Sequence, residues 1–265
     1  MLDWPLEIVV PTVAVICGVL SVLAYYKNVL NKEGAATAFG VGFVIGVFGH
    51  IMWLILLLLF LVTSFAATRY RFSLKEKRGV QEGVKGERGG ANVIANGLIP
   101  AAIAFIPLIT ESMELAYFTI EQTGLIFVSA ISVAAADTLA SEIGVLSDKT
   151  YLITTLRRVP AGTNGGVSWL GHLFALAAST YTAVMGWIFL AFLTPTMPQN
   201  PAVIVIPLVI GFVGCQIDSI FGATLEARGW LTKKTNNLLT VSIGAVLTWF
   251  VVNSNFYEWL MAISL

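Results

Sequence analysis

The sequence predicts an all-α, polytopic membrane protein of about eight helical segments, and three observations carry that prediction. The 265 residues are 57% hydrophobic and 11% charged, with a mean hydropathy of +0.85, whereas a soluble domain carries about 25% charged residues. Several runs approach the roughly 20 apolar residues that cross a hydrocarbon core about 30 Å thick. Every Lys and Arg, moreover, falls within 27–32, 69–88, 149–158 or 228–234, so a formal net charge of zero hides strong segregation.

The apolar segments lie at about 6–26, 35–48, 50–68, 91–109, 122–142, 167–193, 201–226 and 236–253. The first has no basic start and is expected to stay as a helix rather than act as a signal peptide. Residues 35–68 read either as one long helix or as two short ones broken near Gly46, Gly49 and His50. Charge decides between them. Basic loops stay cytoplasmic, both flanks of 35–68 are basic, and an even number of crossings must separate them. A hairpin turning at 46–50 supplies that, with each limb short enough to be re-entrant or tilted. The connections 110–121 and 194–200 hold no Lys or Arg, and the first carries Glu111, Glu114 and Glu121. The expected topology is one transmembrane domain over 1–265 with both termini outside. Its cytoplasmic loops fall at about 27–34, 69–90, 145–166 and 227–235. The tail 254–265, with Tyr257 and Trp259, continues the last helix or lies at the interface. Cys17 and Cys215 sit inside apolar runs without metal-ligand spacing and read as core residues.

Against this background four carboxylates stand out: Asp137, Glu142, Asp218 and Glu226, in or at the ends of apolar spans. A charge at membrane depth costs at least roughly 2.5–3.5 kcal/mol, so such residues serve function by default. In the run 136–144, Asp137 and Ser141 share a helix face as an i, i+4 pair. Glu142 is rotated from Asp137 by about 140° and raised by about 7.5 Å. Both acids cannot hold one ion from an unbroken helix; either the helix opens near Gly144 or they do different jobs. The second group is Gly214, Asp218, Ser219, Gly222 and Glu226, with Asp218, Gly222 and Glu226 on one stripe and the two acids about 12 Å apart along the axis. Its glycines leave room for a tight helix contact or for a ligand.

The loop 157–168 adds Arg157, Arg158, Gly162, Thr163, Asn164, Gly165 and Gly166 just ahead of a helix. Successive glycines can aim backbone amides into an anion-binding nest, and a helix N-terminus adds free amides and partial positive charge. No Lys-Ser or Lys-Thr follows, so this is not a Walker A loop. In the long basic loop, Arg69, Arg71, Lys75, Lys77 and Arg78 are expected at the anionic leaflet. Lys85, Asn92 and Asn96 are candidates for holding a phosphate, and Asn236, beside Thr235 and Asn237, for either phosphate contact or helix capping. His50 lies at the outer turn, and His172 reads as a hydrogen-bonded core residue.

Four stretches together carry a resemblance: Thr-Arg-Tyr-Arg at 68–71, Ala-Asp-Thr-Leu-Ala-Ser-Glu-Ile-Gly at 136–144, Arg-Val-Pro-Ala-Gly-Thr-Asn-Gly-Gly-Val-Ser at 158–168 and Asp-Ser-Ile-Phe-Gly-Ala-Thr-Leu-Glu at 218–226. In their order and spacing, over nearly the whole chain, the sequence resembles an integral membrane family, long of unknown function, that includes the plant phytyl-phosphate kinases. That family is similar in turn to CTP-dependent polyprenol kinases. The resemblance implies transfer of a phosphoryl group from a nucleoside triphosphate, CTP favoured, to an isoprenyl monophosphate of phytyl or geranylgeranyl type. It implies the four carboxylates as catalytic residues and the 157–166 loop as a phosphate binder. The residues suggest Mg²⁺ as cofactor with Asp137, Asp218, Glu142 and Glu226 as candidate ligands. The expected partners are the nucleotide, the isoprenyl phosphate and the bilayer, with no nucleic acid, and the active site is expected at the cytoplasmic face. Two other functions use the same residues: a cytidylyltransferase making a CDP-lipid, and a cation-coupled transporter.

Overall fold

A computed structural model describes residues 5–112, 119–194 and 196–263; Glu114, in the acidic loop, lies outside them. Among the described residues seven helices are long and apolar enough to cross a membrane. The chain runs through α1 (Leu6–Tyr26), α2 (Lys32–Val44), α3 (Ile51–Arg69), α4 (Phe72–Lys77), α5 (Gly90–Ala104) and α6 (Ile106–Ser112). It continues through α7 (Ile120–Gly144), α8 (Trp169–Trp187), α9 (Val205–Phe221), α10 (Lys233–Val252) and α11 (Asn255–Ala262).

The eighth expected segment is α2. Its 13 residues, about 20 Å of helix, are too short to span alone, and a π turn at Ile45–Gly49 extends it. His50 then adopts an extended backbone and caps α3, its Nδ1 accepting from the Met52 amide at 3.1 Å. At the other end the two limbs meet on Arg88. Its carbonyl accepts from the Asn31 amide at 3.1 Å, and its Nη2 donates to Thr68 Oγ1 at 3.3 Å. The segment 32–69 is therefore a hairpin with both ends on one face, as charge parity requires.

The centre of the bundle is α7, almost wholly buried and touched by α3, α5, α8, α9 and α10. It starts on a capping box between Thr119 and Gln122, which satisfies two otherwise free amides of its first turn. Small residues let its neighbours come close. Val133 lies between Gly214 of α9 and Gly244 of α10; a Cβ on either glycine would sit 2.6 Å from the valine Cγ2. Gly214 thus serves a helix contact rather than a ligand.

All four basic loops gather at one end of the bundle. Arg78 Nη2 reaches Asp148 at 2.9 Å and Lys233 Nζ reaches Glu82 at 4.0 Å. Here one expectation is corrected. Lys75 does not lie at the leaflet surface: it is wholly buried. Its ammonium donates to the carbonyls of Ala67 (2.7 Å) and Thr68 (3.1 Å) and pairs with Glu142 Oε2 at 2.7 Å. A cation on the last carbonyls of α3 is favoured there, and the short helix α4 folds back to deliver it.

The stretch after α7 also holds a small antiparallel sheet of order β2-β1-β3: β1 (Thr150–Leu152), β2 (Arg158–Val159) and β3 (Gly166–Val167). Strands of two or three residues are too short for an alternation signal, and the sequence reading treats this stretch as loop.

Candidate active site

Asp137 lies seven residues before the end of α7, about 10 Å into the bundle, and Asp218 faces it from α9. Their carboxyl groups are within hydrogen-bond reach of each other. Asn237 Nδ2 donates to Asp137 Oδ2 at 3.1 Å, and Thr240 Oγ1 to Asp218 Oδ1 at 3.3 Å. Ser141, one turn beyond Asp137, lines the same cavity, and the charges of Lys233 and Arg88 act on the Asp137 carboxylate. A buried and a half-buried acid thus meet near two cations.

Beyond Asp218 the helix widens into a π turn, Gly222–Glu226, closed by an i→i+5 bond from the Ala227 amide to the Gly222 carbonyl. Such turns recur at functional sites. Asn236 holds this one in place: its Nδ2 donates to the Asp218 carbonyl (3.0 Å) and to Glu226 Oε1 (2.8 Å). Asn236 is wholly buried, so it acts as a clasp and does not line the cavity. The capping box of α10 belongs to Thr232 and Thr235.

A cavity of about 260 Å³ opens above the aspartates. One wall carries Asp137, Asp218, Ser219, Glu226 and Lys233; the other is the loop Gly162, Thr163, Asn164, Gly165 and Gly166. Gly162 and Gly165 have φ of 83° and 71°, a region costly for other residues. Gly165 is pressed on the π turn, where a Cβ would lie 2.4 Å from the Ala223 nitrogen. Gly222 in turn faces Gly165, so the glycines of the two motifs let loop and helix touch. The loop's own bonds use the amides of Thr163 and Gly166; among the described residues those of Asn164 and Gly165 donate to no protein acceptor. Ser168 then caps α8, accepting from the Gly171 amide at 3.1 Å and donating to the Gly144 carbonyl at 3.2 Å. That bond joins the start of α8 to the end of α7 at the cavity edge.

α7 runs unbroken to Gly144, so Asp137 and Glu142 do different jobs. Glu142 lines the cavity edge, but its oxygens are engaged by Lys75, by Thr68 Oγ1 (2.9 Å) and at 3.8 Å by Arg88. It acts as an anchor for cations.

Besides Asn236, three expected residues reach no part of the polar site. Arg157 and Arg158 are exposed; β2 pairs with β1, and Arg158 Nη2 donates outward to the Asp148 carbonyl at 3.0 Å. Lys85 is exposed on a turn between Gly83 and Gly86. Beside it, hydrogen bonds from the amides of Glu87, Lys85 and Val84 hold the Glu87 carboxyl below the usual glutamate range. A second, smaller cavity of about 80 Å³ shares Asp137, Ser141, Glu82 and Lys233 with the first and adds Arg88, Asn92 and Asn96. The sequence reading missed Arg88, Lys233, Glu82 and Asn237 as site residues, counting the basic ones only as orientation charges. His172, expected in the core, lines the main cavity. Lys233 had a usable signal in its position on the first turn of a capped helix.

Among the described residues, no three His, Cys, Asp or Glu side chains converge as a metal cage. Mg²⁺ commonly uses one or two carboxylates completed by water and phosphate oxygens, and the Asp137–Asp218 pair fits that pattern.

Comparisons with known proteins agree with this architecture. The chain is 33% identical over 223 residues to protein VTE6, chloroplastic, of Arabidopsis thaliana, covering 82% of this chain and 64% of that protein. It therefore spans just under two thirds of that relative's length. It is 27% identical to an uncharacterized membrane protein of Methanocaldococcus jannaschii, covering 89% of this chain and 91% of the other. To an uncharacterized membrane protein of Synechocystis it is 34% identical, over 83% and 82% of the two chains. No solved structure matches. The model of the family described as integral membrane protein DUF92 matches residues 15–254, and with a multi-pass bundle built around the motifs at 136–144 and 218–226, the chain belongs to that family.

Proposed function

We propose that this protein is a membrane kinase that transfers the γ-phosphoryl group of a nucleoside triphosphate, CTP favoured, to an isoprenyl monophosphate. The meeting of Asp137 and Asp218 beside a glycine loop with free amides is the observation that carries this reading. The likeness to VTE6 and the resemblance to the family of phytyl-phosphate kinases supply the substrate class. The bond between the γ-phosphorus and the β-bridging oxygen breaks, and a bond to an acceptor phosphate oxygen forms. The products are a nucleoside diphosphate and an isoprenyl diphosphate. A phosphate monoester is already nucleophilic, so positioning and charge neutralisation do most of the work.

In this reading the free amides of Asn164 and Gly165 in the glycine loop and the start of α8 cradle the triphosphate, with Lys233 beside it. Asp137 and Asp218 would hold Mg²⁺, with Glu226 reaching it through water; bound there, the ion neutralises phosphate charge. Glu142 fixes Lys75 and Arg88, and Asn92 and Asn96 face the acceptor. The gathering of the basic loops at this end supports a site on the cytoplasmic face, where nucleotides are. A cation path would spread acids across the bilayer, whereas these four cluster at one end. The test is purified protein with each nucleoside triphosphate and a panel of isoprenyl alcohols and monophosphates, products resolved by mass. An isoprenyl diphosphate with a nucleoside diphosphate is expected; a CDP-lipid with pyrophosphate would make it a cytidylyltransferase instead.

A further inference from the structure

Apart from the polar cavities, a groove of about 300 Å³ is enclosed by α1, α2, α3 and α5. Along α3 it runs from Phe65 to Leu54, about 16 Å of helix. Its rim includes Leu23 of α1 and Val62 of α3, 49% and 63% exposed, which opens it sideways toward lipid.

Besides Ser21 and the exposed Lys27, the polar lining of the groove is Arg88, Asn92 and Asn96, which close one end of it. The same three side chains line the small polar cavity next to Asp137. One of them has an unmet donor: among the described residues Arg88 Nε is buried without a partner. A charged donor left so is costly, and a phosphate oxygen is the acceptor a guanidinium suits best. The opposite side of the same cavity carries Asp137 and Lys233, the phosphoryl-transfer groups of the reading above.

We propose that this groove binds the isoprenyl tail of the acceptor, entering sideways between α1 and α3, with its phosphate on Arg88, Asn92 and Asn96. Arg88 is then the head-group ligand, in the role that the sequence reading gave to Lys85. The proposal rests on the kinase reading for the identity of the acceptor. Bulk lipid alone would fill an apolar groove but gives no reason for an arginine at its inner end whose buried Nε has no acceptor among the described residues. The tail's reach toward Leu54 places its far end against the 46–50 hairpin turn.

The experiment uses the full chain in phospholipid nanodiscs with geranylgeranyl monophosphate carrying a photoreactive diazirine at the tail end. Illumination without nucleotide, followed by peptide mass spectrometry, is expected to label α3 between Leu54 and Leu58 or α1 near Cys17. Unlabelled geranylgeranyl monophosphate should displace the label, and two-chain phosphatidic acid should not. Labels only on outward residues such as Phe250, or equal displacement by phosphatidic acid, would overturn the proposal. Because no turnover is needed, labelling at the groove with no kinase activity would sink the kinase reading alone. In a second arm, Leu58→Trp narrows the groove away from the polar end. It should lower the kcat/KM ratio of geranylgeranyl to dimethylallyl monophosphate at least about tenfold; an unchanged ratio counts against the groove.

Discussion

Lys75→Met tests whether Glu142 is part of an internal clamp or of the chemistry. The Lys75 side chain is wholly buried and that of Glu142 10% exposed, with the ion pair at 2.7 Å. Methionine keeps the volume but removes the charge and strands both the Glu142 carboxylate and the carbonyls of Ala67 and Thr68. Removing one partner of a buried pair costs about 3–5 kcal/mol. Arg88, 3.8 Å from Glu142, takes over part of the pairing, so the lower figure applies. At about 2–4 °C per kcal/mol for a chain of this size, the thermal midpoint should fall by roughly 6–12 °C. The double variant Lys75→Met/Glu142→Gln should recover part of that loss, since neither charge is then stranded. The assay is thermal unfolding of detergent-solubilised protein followed by size-exclusion fluorescence, with turnover measured on the surviving fraction. A Lys75→Met midpoint within a degree of wild type refutes the clamp. So does Glu142→Gln that unfolds normally yet has no activity, which would place Glu142 on the substrate.

Three other perturbations separate the remaining roles. Asp218→Asn should lower turnover at least about 100-fold while leaving the elution profile intact; a wild-type rate removes it from the site. Gly165→Ala combines a positive φ with a Cβ 2.4 Å from the Ala223 nitrogen. The loop must shift, and nucleotide affinity by equilibrium dialysis should weaken about tenfold or more, at about 1–3 kcal/mol of strain. Glu87 has a carboxyl held below its usual value by the amides of Glu87, Lys85 and Val84. Its contribution to loop order is therefore full above the ordinary glutamate range and fades as pH falls through the lowered value. Limited proteolysis across 79–90 should be faster for Glu87→Gln than for wild type at neutral pH, and the difference should vanish in strong acid.

Much of this protein is legible in its residues because a membrane leaves few options. A backbone in lipid must be helical, so apolar runs locate the spans, and the parity of basic loops locates the break that the structure puts at His50. Asp137 and Asp218 stand out for a related reason: charge in an apolar run is too costly to be incidental. Chain direction within the loops is not written that way. Arg157 and Arg158 look like phosphate ligands beside a glycine run, yet pairing of β2 with β1 turns them outward. Lys75 looks like one more leaflet cation, yet the fold-back of α4 buries it.

By itself, then, the order of residues determined the helical bundle, its hairpin and the two acids within apolar spans, since hydropathy and charge act locally and are paid on insertion whatever the neighbours do. Only the tertiary structure decided which groups face one another: Asp137 with Asp218, Glu142 with Lys75, Gly165 with the π turn, and Arg88 at the junction of groove and polar cavity. Those pairings depend on helix rotation and loop closure between residues far apart in the chain, and no local pattern encodes a rotation angle.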